Sequence, residues 1–264
     1  MENDILENSS ISVNKLTEEY DWPRIIAVIG ALGSGKSEWV LNLAMGLKQC
    51  GHSVTIADAD IINPYFCIRQ VAEQLEAEGF NILLPPADGK WSDMSLISPR
   101  ITAALSDDSS KLLLDVGGDA SGVLALKQFE PDIVKSPYLL IIVVNAFRPL
   151  TATPQKIEIM IRRMEDICNL KVGALVSNSH LMSETKPDDV INGIKIAEEA
   201  AETLSLPLLY ATVLDALHCE VSKRLSDIDS KVKLWPLKRY LKLPWEGSEL
   251  WTRRGLRIHG INNP

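Results

Sequence analysis

The residues best suited to chemistry form a glycine-rich stretch, G-A-L-G-S-G-K-S, over positions 30–37. Its spacing, G-x-x-x-x-G-K-S, is that of the Walker A motif, a loop that binds the phosphates of a nucleotide. Lys36 is predicted to reach the β- and γ-phosphates, and the hydroxyl of Ser37 is predicted to bind Mg²⁺. The predicted nucleotide contacts of this stretch are Gly30, Gly33, Ser34, Gly35, Lys36, Ser37 and Glu38.

The segments on either side of this stretch are those that such a loop needs. An apolar run at 25–29 predicts a buried strand, and the apolar spacing from Trp39 to Leu47 predicts a helix. The glycines let the backbone turn so that successive N–H groups point at an anion, and the following helix directs its positive end at the same place. A chance glycine turn with a nearby lysine is the alternative, and the flanking strand and helix argue against it.

The rest of the chain alternates strands with helices. Most strands are continuous apolar runs, which is typical of a parallel sheet covered on both faces. We therefore expect an α/β fold with a doubly wound, mostly parallel sheet of about seven strands and helices on both faces. The predicted strands are 25–29, 53–57, 82–84, 111–114, 138–144, 172–176 and 208–211.

Aspartates follow two of these strands, and ligands of doubly wound sheets bind beyond the carboxyl ends of the strands. Asp115 follows Leu112–Leu114 and is predicted to hold Mg²⁺ and to act in catalysis. Gly118, three residues later, could sense a γ-phosphate through its N–H group, which makes 115–119 a candidate switch. A solvated acid at a strand end is the alternative for Asp115.

The second strand ends in Asp58-Ala59-Asp60. Hydrolysis needs a water in line with the γ-phosphate, and we predict that the Asp60 carboxylate holds it. Asp58 would support Mg²⁺ or its water shell. Either acid could instead cap the turn at Asn63-Pro64.

Composition restricts the range of functions. The chain has 264 residues, a net charge of −8 and no apolar run that could span a bilayer, so we expect neither a nucleic-acid nor a membrane partner. Its four cysteines include no C-x-x-C pair, which favours reduced thiols in the cytoplasm. The region 220–257 carries a local charge of +5, from ten basic and five acidic residues, which is more often a solvated face than a binding surface.

The same patterns predict the domain organisation. Residues 1–20 are polar and unpatterned and are predicted to be a flexible lead. Residues 21–245 are predicted to form one nucleotide-binding domain, and 246–264 a polar tail.

Together these motifs resemble the MinD/ParA/CobQ group of P-loop ATPases, and over Arg24 to about Trp245 they are most similar to bacterial MinD-like ATP-binding proteins of poorly defined role. The stretches that carry the resemblance are G-A-L-G-S-G-K-S-E (30–38), D-A-D-I-I-N-P-Y-F (58–66), L-D-V-G-G-D (114–119), V-N-A-F-R-P-L-T (144–151), S-N-S-H-L (177–181) and L-K-L-P-W (241–245).

The resemblance implies a sheet of seven or eight strands, ATP with Mg²⁺, and slow ATP hydrolysis coupled to a conformational or partner-binding switch. By position it assigns Lys36 to the phosphates, Ser37 to Mg²⁺, Asp60 to the water and Asn178 to the adenine edge. MinD and ParA proteins carry a lysine just after the first loop glycine that acts across a nucleotide-bound dimer. Ala31 stands there in this chain, so the residue that usually indicates such a dimer is missing, and the sequence leaves open whether the protein is a monomer or a homodimer.

Two alternatives remain open. The first is an ATP-dependent ligase or amidase resembling CobQ or dethiobiotin synthetase, whose γ-phosphate would activate a small molecule; the physiological partner is then that substrate rather than a protein. The second is guanine specificity, because T-K-P-D at 185–188 fits the [NT]-K-x-D signature. That motif normally follows a strand directly, whereas here it lies beyond Asn178–Glu184 and looks like a helix start.

Overall fold

The structure is a computed structural model. It describes residues 13–59, 68–84, 99–118, 120–228 and 230–241. The predicted catalytic acid Asp60 and the tail from residue 246 onwards lie outside the described residues.

Eight strands in the described part of the chain form one sheet in the order β3-β2-β4-β1-β5-β6-β7-β8, and every pairing is parallel. The glycine-rich loop follows the strand β1, which lies between β4 and β5. The strands are β1 (Ile25–Gly30), β2 (Val54–Ala59), β3 (Asn81–Leu83), β4 (Lys111–Val116), β5 (Tyr138–Val144), β6 (Val172–Ser177), β7 (Leu208–Leu214) and β8 (Lys233–Leu237).

Helices cover both faces of this sheet, as the continuous apolar strands predicted. They are α1 (13–18), α2 (Lys36–Gln49), α3 (Ala72–Ala77), α4 (Pro99–Leu105), α5 (Ala120–Lys127), α6 (Glu130–Ile133), α7 (Pro154–Cys168), α8 (Pro187–Leu204) and α9 (Asp215–Ser226). No helix in the described residues is both long enough and apolar enough to cross a bilayer.

The alternation of side chains along the strands divides the core in two. Ile26 and Val28 of β1 pack with α2 and α3, whereas Ile25, Ala27 and Ile29 face α4, α5 and α7. A third, smaller cluster joins α8 and α9 to β7. Because strands alternate with period two, this division fixes the face on which each side chain at the strand ends lies.

The predicted doubly wound α/β fold is confirmed, and the eighth strand is an addition to the seven strands predicted. β8 is short and contains Pro236, which removes one backbone donor from the ladder. Proline is tolerated in an edge strand, and β8 is the edge strand beyond β7. A five-residue segment with a proline carries too little local signal to be recognised as a strand from sequence.

The segment before β1 also differs from the sequence prediction. Residues 13–18, which fall inside the predicted flexible lead, form α1. The backbone carbonyl of Thr17 accepts from the indole N–H of Trp22 at 2.9 Å, and that of Leu16 accepts from the hydroxyl of Tyr210 at 2.7 Å. These contacts hold α1 against the core. A helix of six residues has too short an amphipathic pattern for this packing to be predicted from sequence. The domain limits at 21 and 245 stay predictions.

Candidate functional site

The glycine-rich loop curls at the carboxyl end of β1. Gly33 and Gly35 have φ angles of 73° and 85°, and Gly35 directly precedes the first turn of α2. These left-handed conformations are accessible to glycine at little cost. Successive turns of this kind can direct backbone N–H groups at one point, which is the geometry that binds phosphate.

Close packing around the loop explains why its glycines are needed. A Cβ atom on Gly30 would lie 2.3 Å from the backbone oxygen of Val143 on β5. A Cβ atom on Gly35 would lie 2.1 Å from Nδ2 of Asn178. The loop is therefore held against its neighbours on the β5 and β6 side, without space for a side chain at either glycine.

Lys36 and Gly118 meet on the other side of the loop. Lys36 is buried, and its Nζ lies 3.5 Å from the backbone oxygen of Ala31. A Cβ atom on Gly118 would lie 2.8 Å from both Lys36 Nζ and the backbone nitrogen of Leu32. The structure thus brings together the predicted phosphate lysine, a loop N–H group and the predicted sensor glycine.

The two predicted metal-binding aspartates are neighbours on adjacent strands. Asp58 of β2 is in register with Asp115 of β4, and both are buried. Asp115 lies two residues after Leu113, and Asp58 two residues after Ile56, so both carboxylates lie on the face covered by α2. Arg69 donates to Asp58 Oδ2 at 2.9 Å and balances part of this buried negative charge.

These groups have the chemistry that Mg²⁺ and phosphate require. Hard carboxylate and hydroxyl oxygens are the ligands that Mg²⁺ prefers, and it usually takes one or two carboxylates together with phosphate oxygens and water. Ser37 is in the first turn of α2, on the same face of the sheet as the aspartates. The buried hydroxyl of Ser34 has no hydrogen-bond partner among the described residues, which leaves a donor inside the loop.

Asn178 supports the loop in this structure. Its Nδ2 donates to the backbone oxygen of Ser34 at 2.7 Å, and its Oδ1 accepts from the hydroxyl of Thr212 at 2.5 Å. The side chain is almost fully buried. Asn178 therefore ties the loop to β6 and β7, and the predicted contact with the adenine edge stays a prediction.

A second support comes from the segment after β5. Asn145 is fully buried; its Nδ2 donates to the backbone oxygen of His180 at 3.2 Å and its Oδ1 accepts from Phe147 N at 3.0 Å. Arg148, in the same turn, donates through Nε to the backbone oxygen of Gly33 at 2.9 Å. From the sequence, Arg148 could contact a substrate or partner or could be a surface arginine at a turn; its contact with the loop was not predictable, because Arg148 and Gly33 are distant in sequence.

Glu38 holds the segment 238–241 in this structure, and its predicted contact with a nucleotide stays a prediction. Its carboxylate oxygens accept from Tyr240 N at 2.9 Å and Leu241 N at 2.8 Å. Asn42, one turn later, exchanges two hydrogen bonds with the backbone of Lys238, at 2.8 and 2.9 Å. Burial raises the pKa of Glu38, and the two backbone donors oppose this rise. Helix α2 is thus joined to the chain beyond β8.

The residues of the guanine-like motif T-K-P-D form the start of α8. The hydroxyl of Thr185 accepts from Leu181 N at 2.8 Å, and Lys186 N donates to Asp189 Oδ2 at 2.8 Å. Asp188 forms an ion pair with Arg224 on α9. These contacts agree with the interpretation of the motif as a helix start.

His180 lies beside the loop. Its Nε2 is 3.6 Å from the position that a Cβ atom on Gly35 would occupy. Burial lowers its pKa from 6.5 to about 4, and the charges of Arg148 and Arg239 add to this. The imidazole is therefore neutral at physiological pH, and its Nδ1 accepts from Met182 N at 3.4 Å.

We expect His180 to make the fold sensitive to acid. Because the folded-state pKa lies below the unfolded value of 6.5, its contribution to stability is complete above pH 6.5 and is lost as the pH falls towards 4. The loss amounts to about 3 kcal/mol at most. Urea unfolding from pH 7 to 4 should show a smaller decline for His180→Gln than for the wild type. His52→Gln, on the surface, is the control; parallel curves for wild type and His180→Gln would refute the prediction.

Solved structures with this fold are found by structural comparison. FtsY, a cell division protein of Thermotoga maritima, matches with a TM-score of 0.54 and 16% identity over 78% of this chain and 69% of that chain. The signal recognition particle 54 kDa protein of Aeropyrum pernix, solved in complex with GDP, matches with a TM-score of 0.51 and 15% identity over 75% of this chain and 46% of that chain.

At these low identities, the structural matches show that the α/β fold is shared. The chain covers 64% of a further FtsY structure, the signal recognition particle receptor of Elizabethkingia anophelis, at a TM-score of 0.46. No protein-family model matches the chain, and no curated protein is significantly similar to it in sequence.

Proposed function

We propose that this protein is a P-loop ATPase of the MinD/ParA-like group that binds Mg-ATP and hydrolyses it slowly, with hydrolysis coupled to a switch in conformation or partner binding. The observation that carries the proposal is the convergence of Lys36 Nζ, the N–H of Leu32 and Gly118 at one side of the curled loop. A phosphate group needs this combination of one cation and several backbone donors.

We assign the residues of the proposed site the following roles. Lys36 and the loop N–H groups would bind the β- and γ-phosphates. Ser37 and Asp115 would hold Mg²⁺, directly or through water, with Asp58 supporting the water shell. When bound, Mg²⁺ would neutralise charge on the β- and γ-phosphates. Asp60 is proposed to position the attacking water.

The switch would lie where β4 leads into α5. Gly118 packs against Leu32 and Lys36, and a Cβ atom on Gly122 of α5 would lie 2.4 Å from the Cα atom of Gly117. The backbone at 117–118 is thus enclosed between the loop and the first turn of α5. A change at the γ-phosphate that moves Gly118 must therefore also move α5, which gives a partner protein a surface that depends on the nucleotide.

ATP is proposed over GTP for two reasons. The T-K-P-D residues make the contacts that begin α8, and the motifs of the chain resemble those of ATPases. GTP is the second candidate, since the signal recognition particle protein of the same fold was solved with GDP. A homodimer that depends on nucleotide remains part of the proposal. Ala31 stands where MinD and ParA proteins have a lysine. It is uncharged and buried in the core, so this position brings no charge to such a dimer.

Hydrolysis by wild type and Asp60→Ala, with nucleotide binding measured in parallel, tests this function. We expect slow turnover of ATP by the wild type, and binding without turnover by Asp60→Ala, since the variant loses only the group that positions the water. Binding by both without turnover by either would contradict the ATPase and favour transfer of the γ-phosphate to a small molecule. Size-exclusion chromatography with Mg-ATP on the trapped variant then tests the dimer.

A further inference from the structure

We propose that Arg148 is a catalytic residue: its guanidinium supplies, from within the same chain, a second cation for the terminal phosphate at the loop. This inference rests on the proposed function and adds to it a group that the Walker A motif does not contain. It is carried by the position of Arg148, by the contacts of its side chain and by the charge of the loop beside it.

The backbone holds Arg148 in a fixed turn at the carboxyl end of β5, the strand next to β1. Arg148 N donates to the backbone oxygen of Asn145 at 2.9 Å, and Thr151 N donates to that of Arg148 at 3.0 Å. The hydroxyl of Thr151 donates to the Asn145 oxygen at 2.6 Å. Asn145 and Thr151 are both fully buried. The turn is thus anchored at both ends, and its arginine is directed by a rigid support.

The side chain of Arg148 lies on the loop. Its Nε donates to the backbone oxygen of Gly33 at 2.9 Å, and a Cβ atom on Gly33 would lie 2.8 Å from Cζ and 2.9 Å from Nη2. Neither Nη group donates to an acceptor among the described residues. The planar guanidinium thus uses one donor to fix itself on the loop and keeps the others for an anion.

The Arg148 side chain lies on the side of the loop where the terminal phosphate is proposed to bind. Gly33 follows Leu32, whose N–H group lies with Lys36 Nζ and Gly118 where the γ-phosphate is proposed to bind. Ala31, on the other side of Leu32, is neutral and buried. Lys36 is therefore the loop's own cation, and Arg148 brings the second one to a group whose oxygens carry the charge of the transition state.

In hydrolysis, the water oxygen forms a bond to the γ-phosphorus while the bond from phosphorus to the bridging oxygen breaks. The products are ADP and inorganic phosphate, and the water proton passes to the phosphate or to its carboxylate acceptor. The guanidinium transfers no proton, because it stays charged throughout. Its part is to stabilise negative charge on the phosphate oxygens, which is the chemistry of an arginine finger supplied in cis.

Arg148→Ala and Arg148→Lys test the inference, with Mg-ATP and Mg-ADP as probes. For Arg148→Ala we expect kcat for ATP to fall by about 100-fold or more, and affinity for Mg-ADP to stay within about twofold of wild type. Binding of Mg-ADP with aluminium fluoride, which mimics the transferring phosphoryl group, should be lost. Millimolar guanidinium should restore part of the activity of Arg148→Ala, and Arg148→Lys should recover little because one ammonium cannot replace the planar fork.

Arg162→Ala is the matched control, since Arg162 is an exposed arginine on α7 that pairs with Glu158. An equal loss of ATP and ADP affinity in Arg148→Ala would overturn the inference and show that Arg148 only shapes the loop. An unchanged kcat would overturn it as well. Neither result contradicts the proposed function. The proposed function is contradicted if the wild type binds no nucleotide.

Discussion

Replacing Lys36 with alanine is expected to abolish most of the stabilisation that Mg-ATP gives to the wild type. Each hydrogen bond from a cation to a phosphate is worth about 1.5–3 kcal/mol, so losing the contacts of Lys36 should weaken binding by about 100-fold. At a concentration 100 times the wild-type Kd, ATP stabilises the wild type by about 2.7 kcal/mol, whereas the variant would gain about 0.4 kcal/mol. This corresponds to a Tm shift of about 5–10 °C against about 1 °C.

Thermal unfolding with and without Mg-ATP measures this difference directly. Lys195→Ala is the control, because Lys195 is an exposed lysine on α8 with no role in the proposed site. It should keep the full shift. A Lys36→Ala variant that is stabilised by Mg-ATP as strongly as the wild type would place the nucleotide away from the loop and would contradict the account.

Replacing Gly35 with alanine is expected to lower the free energy of unfolding by about 2–6 kcal/mol and to weaken nucleotide binding. Two costs add together. The φ angle of 85° strains any residue with a Cβ atom, at about 1–3 kcal/mol. The new Cβ atom would also lie 2.1 Å from Asn178 Nδ2, and relieving such an overlap typically costs about 1–3 kcal/mol. Asn178 cannot move away freely, because it is buried and bound to Ser34 and Thr212.

Gly51→Ala separates the two costs. Gly51 has nearly the same φ angle, 87°, but no atom would lie within 4 Å of its Cβ atom. Urea unfolding should therefore show the backbone strain alone in Gly51→Ala, and an additional loss of about 1–3 kcal/mol in Gly35→Ala. Equal destabilisation of the two variants would mean that Asn178 does not restrain the loop.

The sequence was sufficient where the signal is local. The Walker A spacing and the apolar runs before and after it predicted the loop between β1 and α2. The apolar strand before Asp115 predicted that this residue lies at the carboxyl end of the sheet. The parallel sheet followed from the continuous apolar strands. In each case the residues that determine the structure lie within about one strand or helix of each other.

The supports of the loop could not be predicted in this way. Arg148 and Gly33 are 115 residues apart in sequence, Asn178 and Ser34 are 144 apart, and Glu38 and Tyr240 are 202 apart. A polar side chain at a strand end can contact a ligand or hold a neighbouring loop, and its local pattern is the same in both cases. For Glu38 and Asn178 the folded contacts reveal a supporting role, and for Arg148 they reveal the contact with the loop.

Titration calorimetry of the wild type and Lys36→Ala with Mg-ATP and Mg-GTP measures nucleotide binding at the loop directly. We expect one binding site per chain in the wild type, tighter binding of Mg-ATP than of Mg-GTP, and loss of that binding in Lys36→Ala. A folded wild type that binds neither nucleotide, or a Lys36→Ala variant that binds as tightly as the wild type, would contradict this expectation.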